Sequence, residues 1–122
     1  MGYGEAAVYA LRAFHRHGLS RRWKFALGNS RQEYGSCDFS SRTIEVSRVF
    51  LKTATRKESI DTILHEIAHA LAGTHLHNKK WKSIAERIGA RPLAQPKKYG
   101  EKTKEKRFAA ESVARASKAR IK

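Results

Sequence analysis

Apolar positions along the chain follow two periods, one helical and one extended, and the switches between them mark out the elements. Tyr3, Ala7, Ala10, Leu11 and Phe14 recur at helical spacing and predict a first helix over residues 3–17, with Gly18 as its left-handed stop. From residue 22 the period becomes two. Trp23, Phe25 and Leu27 alternate with Lys24 and Ala26, residues 34–39 form a second candidate strand, and Thr43-Ile44-Glu45-Val46 forms a third. Gly28-Asn29-Ser30 and Ser40-Ser41-Arg42 read as turns, so the segment predicts a small antiparallel meander followed by a short helical turn over residues 47–51. The best-signalled helix comes next. Thr55 and Glu58 make a capping box, Ile60, Ile63, Leu64, Ile67 and Leu71 form one apolar stripe, and Gly73 ends it. A last helix runs from about Lys79 to Ile88, capped by Asn78, with Trp81, Ile84, Ala85 and Ile88 on its buried side and Gly89 closing it.

Composition changes this picture at the C-terminus. The 122 residues hold 26 Lys and Arg against 11 Asp and Glu, a net charge of +15. Residues 97–122 carry ten of those cations and three Glu, with few large apolar side chains to bury. The chain therefore divides into a folded unit over residues 1–92 and a basic tail over 93–122, disordered or an exposed helix. So large an excess favours a polyanion, and nucleic acid is the expected one. Arg21, Arg22, Lys97, Lys98, Lys102, Lys104, Lys106 and Arg107 are the candidate phosphate contacts, binding without sequence preference. Trp23 and Phe25 could stack on exposed bases, although core packing is the simpler role for Trp23 and Trp81.

A single cysteine, Cys37, rules out an intrachain disulfide and a four-cysteine zinc module. The N-terminus shows no basic start followed by an apolar run, and no stretch has the length of a membrane span. An intracellular protein is expected, cytoplasmic or nucleoid-associated, with no membrane partner.

The chemistry concentrates in His65-Glu66-Ile67-Ala68-His69, an H-E-x-x-H segment. Residues four apart on a helix are rotated by about 40° and separated by about 6 Å, so two imidazoles can converge on one tetrahedral ion. Measured from Ile60, His65 and His69 fall at roughly 140° and 180°, away from an apolar stripe centred near about 20°. Glu66 lies about 100° round from His65, suited to reach a water on the metal rather than the metal itself. A catalytic zinc needs a third protein ligand. His77 is the first candidate because it immediately precedes the helix that Trp81 anchors; His75 is the second, and Asp61 and Glu86 stand behind both. Zinc would lower the pKa of a bound water, with Glu66 as the general base. Tyr34 is a candidate oxyanion donor by residue type alone, and sheet packing is its simpler role.

Across roughly residues 5 to 90 the chain resembles the SprT-like domain, a zinc metallopeptidase group that includes the Spartan-type proteases of DNA–protein crosslinks. The resemblance rests on Trp23-Lys24-Phe25, on Tyr34-Gly35-Ser36-Cys37-Asp38, on Thr43-Ile44-Glu45-Val46-Ser47, and on Asp61 through Leu71 around the histidine pair. In that family the third ligand is a histidine shortly before a Trp-Lys pair, and His77 stands so before Trp81-Lys82. The resemblance implies an α+β, zincin-like metalloprotease domain with a small sheet beside the zinc helices, a Zn²⁺ cofactor, peptidase activity on a protein substrate, and association with DNA. Two departures stand out. Asn78 follows the third histidine where many relatives have glycine, and the cysteine-rich zinc ribbon of many relatives has no counterpart beside a lone Cys37. Three functions remain open: a protease acting on proteins held near nucleic acid, a non-proteolytic nucleic-acid-binding module with a structural zinc, and a metal-dependent nuclease. The nuclease would want more carboxylates than this chain offers.

Overall fold

A computed structural model describes residues 1–93; the basic tail, with Lys97, Lys98, Lys102, Lys104, Lys106 and Arg107, lies outside the described residues. Among the described residues, helix α1 spans Tyr3–Arg16, strands β1, β2 and β3 span Lys24–Gly28, Gly35–Asp38 and Thr43–Ser47, and helices α2, α3 and α4 span Arg48–Thr53, Arg56–Ala72 and Lys79–Ile88. None of these helices is long and apolar enough to cross a membrane.

The caps predicted from sequence form as expected. The Thr55 hydroxyl accepts from Glu58 N at 3.1 Å while Thr55 N donates to the Glu58 carboxylate at 2.9 Å, which closes the box at the start of α3. Gly73 ends α3 and Gly89 ends α4, both with positive φ, and the Asn78 side chain accepts from Trp81 N at 3.1 Å. Ser47 caps α2 by accepting from Val49 N and Phe50 N, so the expected helical turn is a six-residue helix.

The sheet departs from the expected meander. Its order is β1-β3-β2: β2 and β3 are antiparallel neighbours, whereas β1 lies parallel to β3. The Asp38 carboxylate nucleates the β2–β3 hairpin by accepting from Ser40 N, Ser40 Oγ and Ser41 N. These hydrogen bonds hold the exposed Asp38 carboxyl below its usual range. Gly28-Asn29-Ser30, by contrast, does not reverse the chain tightly. Ser30 Oγ accepts from Gln32 N and Glu33 N, Ser47 Oγ donates to Ser30 O at 2.6 Å, and Arg48 donates to Asn29. The connection thereby passes over the end of β3, and β2 pairs on its far side. Burial favours this order, because Ile44 and Val46 of β3 are fully enclosed and the middle position covers them from both neighbours.

Helix α3 is the centre of the domain and packs against α1, α4, β2 and β3. Every residue from Thr62 to His69 is buried, so the helix is enclosed on more than its apolar stripe. Ile63, Leu64 and Ile67 belong to the core, while Ile60 and Leu71 are only partly covered. The polar side is closed by β2 and α4. Gly35 makes the approach of β2 possible: a Cβ there would meet Glu45 O at 2.9 Å and the side chains of Glu66 and Thr62 at 3.3 Å. Asp61 accepts from Arg91 N at 2.8 Å and pairs with its guanidinium, fastening the chain after α4 back onto α3.

Gly35→Ala should therefore cost about 1–3 kcal/mol of stability through overpacking against backbone. Gly4→Ala, where nothing lies within 4 Å, should be neutral or slightly stabilising. Urea midpoints of the two variants check the contrast.

Candidate metal centre

Two segments build one cluster. His65 and His69 come from successive turns of α3, and His77 arrives from the loop after Gly73, whose left-handed conformation (φ +73°) turns the chain back. The ligand-capable atoms of His65, His69 and His77 all lie within 4.8 Å of one another. His77 Nε2 stands 3.2 Å from His69 Nε2 and 3.3 Å from His65 Nε2. Donors around a tetrahedral zinc, each about 2.0–2.1 Å from the ion, are separated by about 3.3–3.4 Å. The histidine spacing fits that geometry.

The proton positions agree. His69 Nδ1 lies 2.8 Å from Thr74 O, and a carbonyl can only accept, so Nδ1 carries the proton. In the neutral ring, Nε2 then presents a lone pair to the cluster. One N–H on His77 could point at only one of its two neighbours, whereas a cation at the centre takes all three lone pairs. The donor set therefore fits a zinc ion, with His65, His69 and His77 as the residues that could hold it.

Trp81 walls this cluster. It is 0% exposed, and its ring sits 4.8, 5.2 and 4.7 Å from the centroids of His65, His69 and His77. Its Nε1–H reaches back to His65 O at 3.4 Å. The expectation that Trp81 packs in the core holds, and it adds a role that periodicity alone does not show: the same ring fixes the imidazoles. Trp23 is partly buried and meets Phe39 edge-on at 5.8 Å.

The other candidates separate from the cluster. His75 turns away, with Nε2 2.7 Å from Cys37 O and its ring 4.7 Å from that of Phe39. Asp61 is engaged by Arg91, and among the described residues Glu86 is not in the metal-capable group. Tyr34 stacks on Phe50, centroids 4.5 Å apart and planes at 14°. Glu66 is buried beside the histidines, 5% exposed, against Gly35 of β2. Cys37 is near it: burial above all, then the Glu66 and Asp38 carboxylates, push its thiol up to about 12. Among the described residues Cys37 is not in the metal-capable group. Arg21 and Arg22 lie in the exposed turn before β1, away from these residues in the chain.

The protein should bind one zinc per chain, and Cys37→Ser should keep it. His69→Ala and His77→Ala should purify with well under one equivalent. Metal analysis after gel filtration distinguishes the three variants.

A search of curated protein sequences found no match. Two crystal structures share the fold. The metallopeptidase zymogen of Pyrococcus abyssi abylysin aligns with a TM-score of 0.60 at 20% identity, over 68% of this chain and 78% of that one. The metallopeptidase zymogen of Methanocaldococcus jannaschii jannalysin aligns with a TM-score of 0.62 at 13% identity, over 67% and 79%. The sequence model of the SprT-like family matches residues 5–105, which extends past the boundary that composition suggests at residue 92. That span is more than half of the chain, so the chain belongs to the SprT-like family, and family and three-histidine cluster together make it a zinc metalloprotease.

Proposed function

We propose that this chain is an endopeptidase acting on proteins associated with nucleic acid, with Glu66 as its general base. The observation that carries the catalytic part is the placement of Glu66: buried, on the same helix as His65 and His69, and one residue along from a ligand-capable imidazole. His65, His69 and His77 would hold the zinc, which would supply a Lewis acid able to lower the pKa of a water to about 7 and to polarise a scissile carbonyl. Glu66 takes the proton from the attacking water and returns it to the leaving amine. A site that held zinc for structure alone would have no use for a carboxylate there.

Charge supports the nucleic-acid part. Residues 1–93 alone hold sixteen Lys and Arg against eight Asp and Glu. Several of the acids are engaged: Glu5 by Arg56, Asp61 by Arg91, and Glu58 by the Thr55 cap. At the end of α1, burial first, then Arg16 and Arg87 hold His17 below the usual histidine range, so these cations crowd together. Arg12, His15 and Arg16 line a depression beside Leu11 on the same helix. A phosphate backbone relieves such repulsion by replacing counterions. Arg21, Arg22 and the lysines and arginine of residues 97–107 extend the basic surface in sequence.

Glu66→Gln should retain zinc and lose about 10²–10⁴-fold in cleavage of a DNA-bound protein. Undiminished cleavage refutes the assigned role, and a wild-type protein that binds zinc and DNA yet cuts nothing favours the binding-module reading. Replacing Lys97, Lys98, Lys102, Lys104, Lys106 and Arg107 with Gln should weaken DNA binding and flatten log K against log salt by up to about 0.9 per lost duplex contact. Zinc content should not change. An unaltered slope removes the tail from DNA binding.

A further inference from the structure

We propose that His75 is a positioning residue for the metal centre, a strap whose Nε2–H holds the loop bearing His77 against strand β2. This rests on His77 being a zinc ligand, as proposed above. The loop from Gly73 to Asn78 must deliver one imidazole to a fixed point, and its restraints can be traced. At its start, Thr74 O accepts from His69 Nδ1 and Thr74 Oγ1 accepts from Leu76 N at 3.1 Å. At its end, Asn78 caps α4. Between them Leu76 is exposed and contributes little packing. A further restraint is His75, which reaches 38 residues back along the sequence to Cys37 O.

The acceptor is well chosen. Ser47 N donates to Tyr34 O, which makes Tyr34 and Ser47 a hydrogen-bonded pair. With the register Ser36–Glu45 and Asp38–Thr43, residues 36 and 38 direct their backbone groups to β3, and Cys37 directs its own to the open edge. The Cys37 carbonyl therefore lies outside the sheet ladder, free to take a side-chain donor. A carbonyl accepts only, so the proton sits on His75 Nε2, and Phe39 holds the plane of the ring from its other side at 4.7 Å. Because His75 and His77 are two residues apart, fixing one restricts the rotation of the backbone that aims the other. Partners one bond removed from a metal ligand typically govern 10–100-fold in metal affinity.

The test compares His75→Phe, His75→Ala and His75→Gln in the full chain, using zinc affinity by chelator competition and the visible spectrum of the Co²⁺-substituted protein. Phe preserves a ring against Phe39 and removes the donor; Gln preserves a donor near the Nε2 position. The Phe and Ala variants should lose 10–100-fold in zinc affinity and show an altered Co²⁺ spectrum, while thermal unfolding of the metal-free protein stays the same. The Gln variant should recover most of the affinity. Full affinity in His75→Phe overturns the proposal, and so does a Gln variant as weak as Ala. His77→Ala runs in parallel: if it binds zinc like the wild type, the ligand assignment itself fails, whatever the His75 variants do.

Discussion

The structure depends on three imidazole nitrogens being held close together with their lone pairs inward. Nothing in the hydrophobic core favours that arrangement, in which His77 Nε2 lies 3.2 Å from His69 Nε2 and 3.3 Å from His65 Nε2. The fold imposes it from outside. A helix fixes two of the rings by its own repeat, Gly73 reverses the chain in the one backbone region glycine occupies cheaply, and Thr74 O sets the tautomer of His69. The indole of Trp81 then fills the space behind all three. Each of these devices is ordinary, and together they leave the rings little freedom to splay.

Burial explains why this site is built on the central helix rather than at the surface. From Thr62 to His69 no position of α3 is open to water beyond a few per cent, so the imidazoles and Glu66 sit in surroundings of low dielectric. Charge interactions there are stronger than in water, which suits a site designed to stabilise a cation and a developing oxyanion. Isolated buried carboxylates are costly. A cation held by the neighbouring histidines would add a favourable opposite charge near the buried Glu66.

Much of this was legible in sequence because it is local. The span from His65 to Trp81 contains the histidine pair, the base, the glycine stop, the third histidine, its asparagine cap and the indole wall, all within a single helix–loop–helix. Capping boxes and left-handed glycines are read from neighbouring residues, and those positions agree with the structure. Sheet order is different in kind. The parallel pairing of β1 with β3 follows from Ser47 and Arg48 gripping the loop after β1, contacts between residues about 17 to 19 apart that no turn rule encodes. The place of His77 before the Trp81 helix ranks it ahead of His75 in the sequence, and it joins the cluster; the partner of His75, the Cys37 carbonyl 38 residues back, is a long-range contact that no local pattern encodes.

Strand β2 thus has a larger part in the site than its four residues suggest. Gly35 and Cys37 share a face by the two-residue repeat, and both are buried. Through the first, the sheet meets Glu66; through the carbonyl of the second, it holds the loop that carries His77. Glu66 and His77 are eleven positions apart in the chain, yet both take their position from the same short strand. A shift of β2 relative to α3 would accordingly disturb water activation and metal binding together, which is a reason for β2 to be short, glycine-bearing and pinned at its hairpin by Asp38.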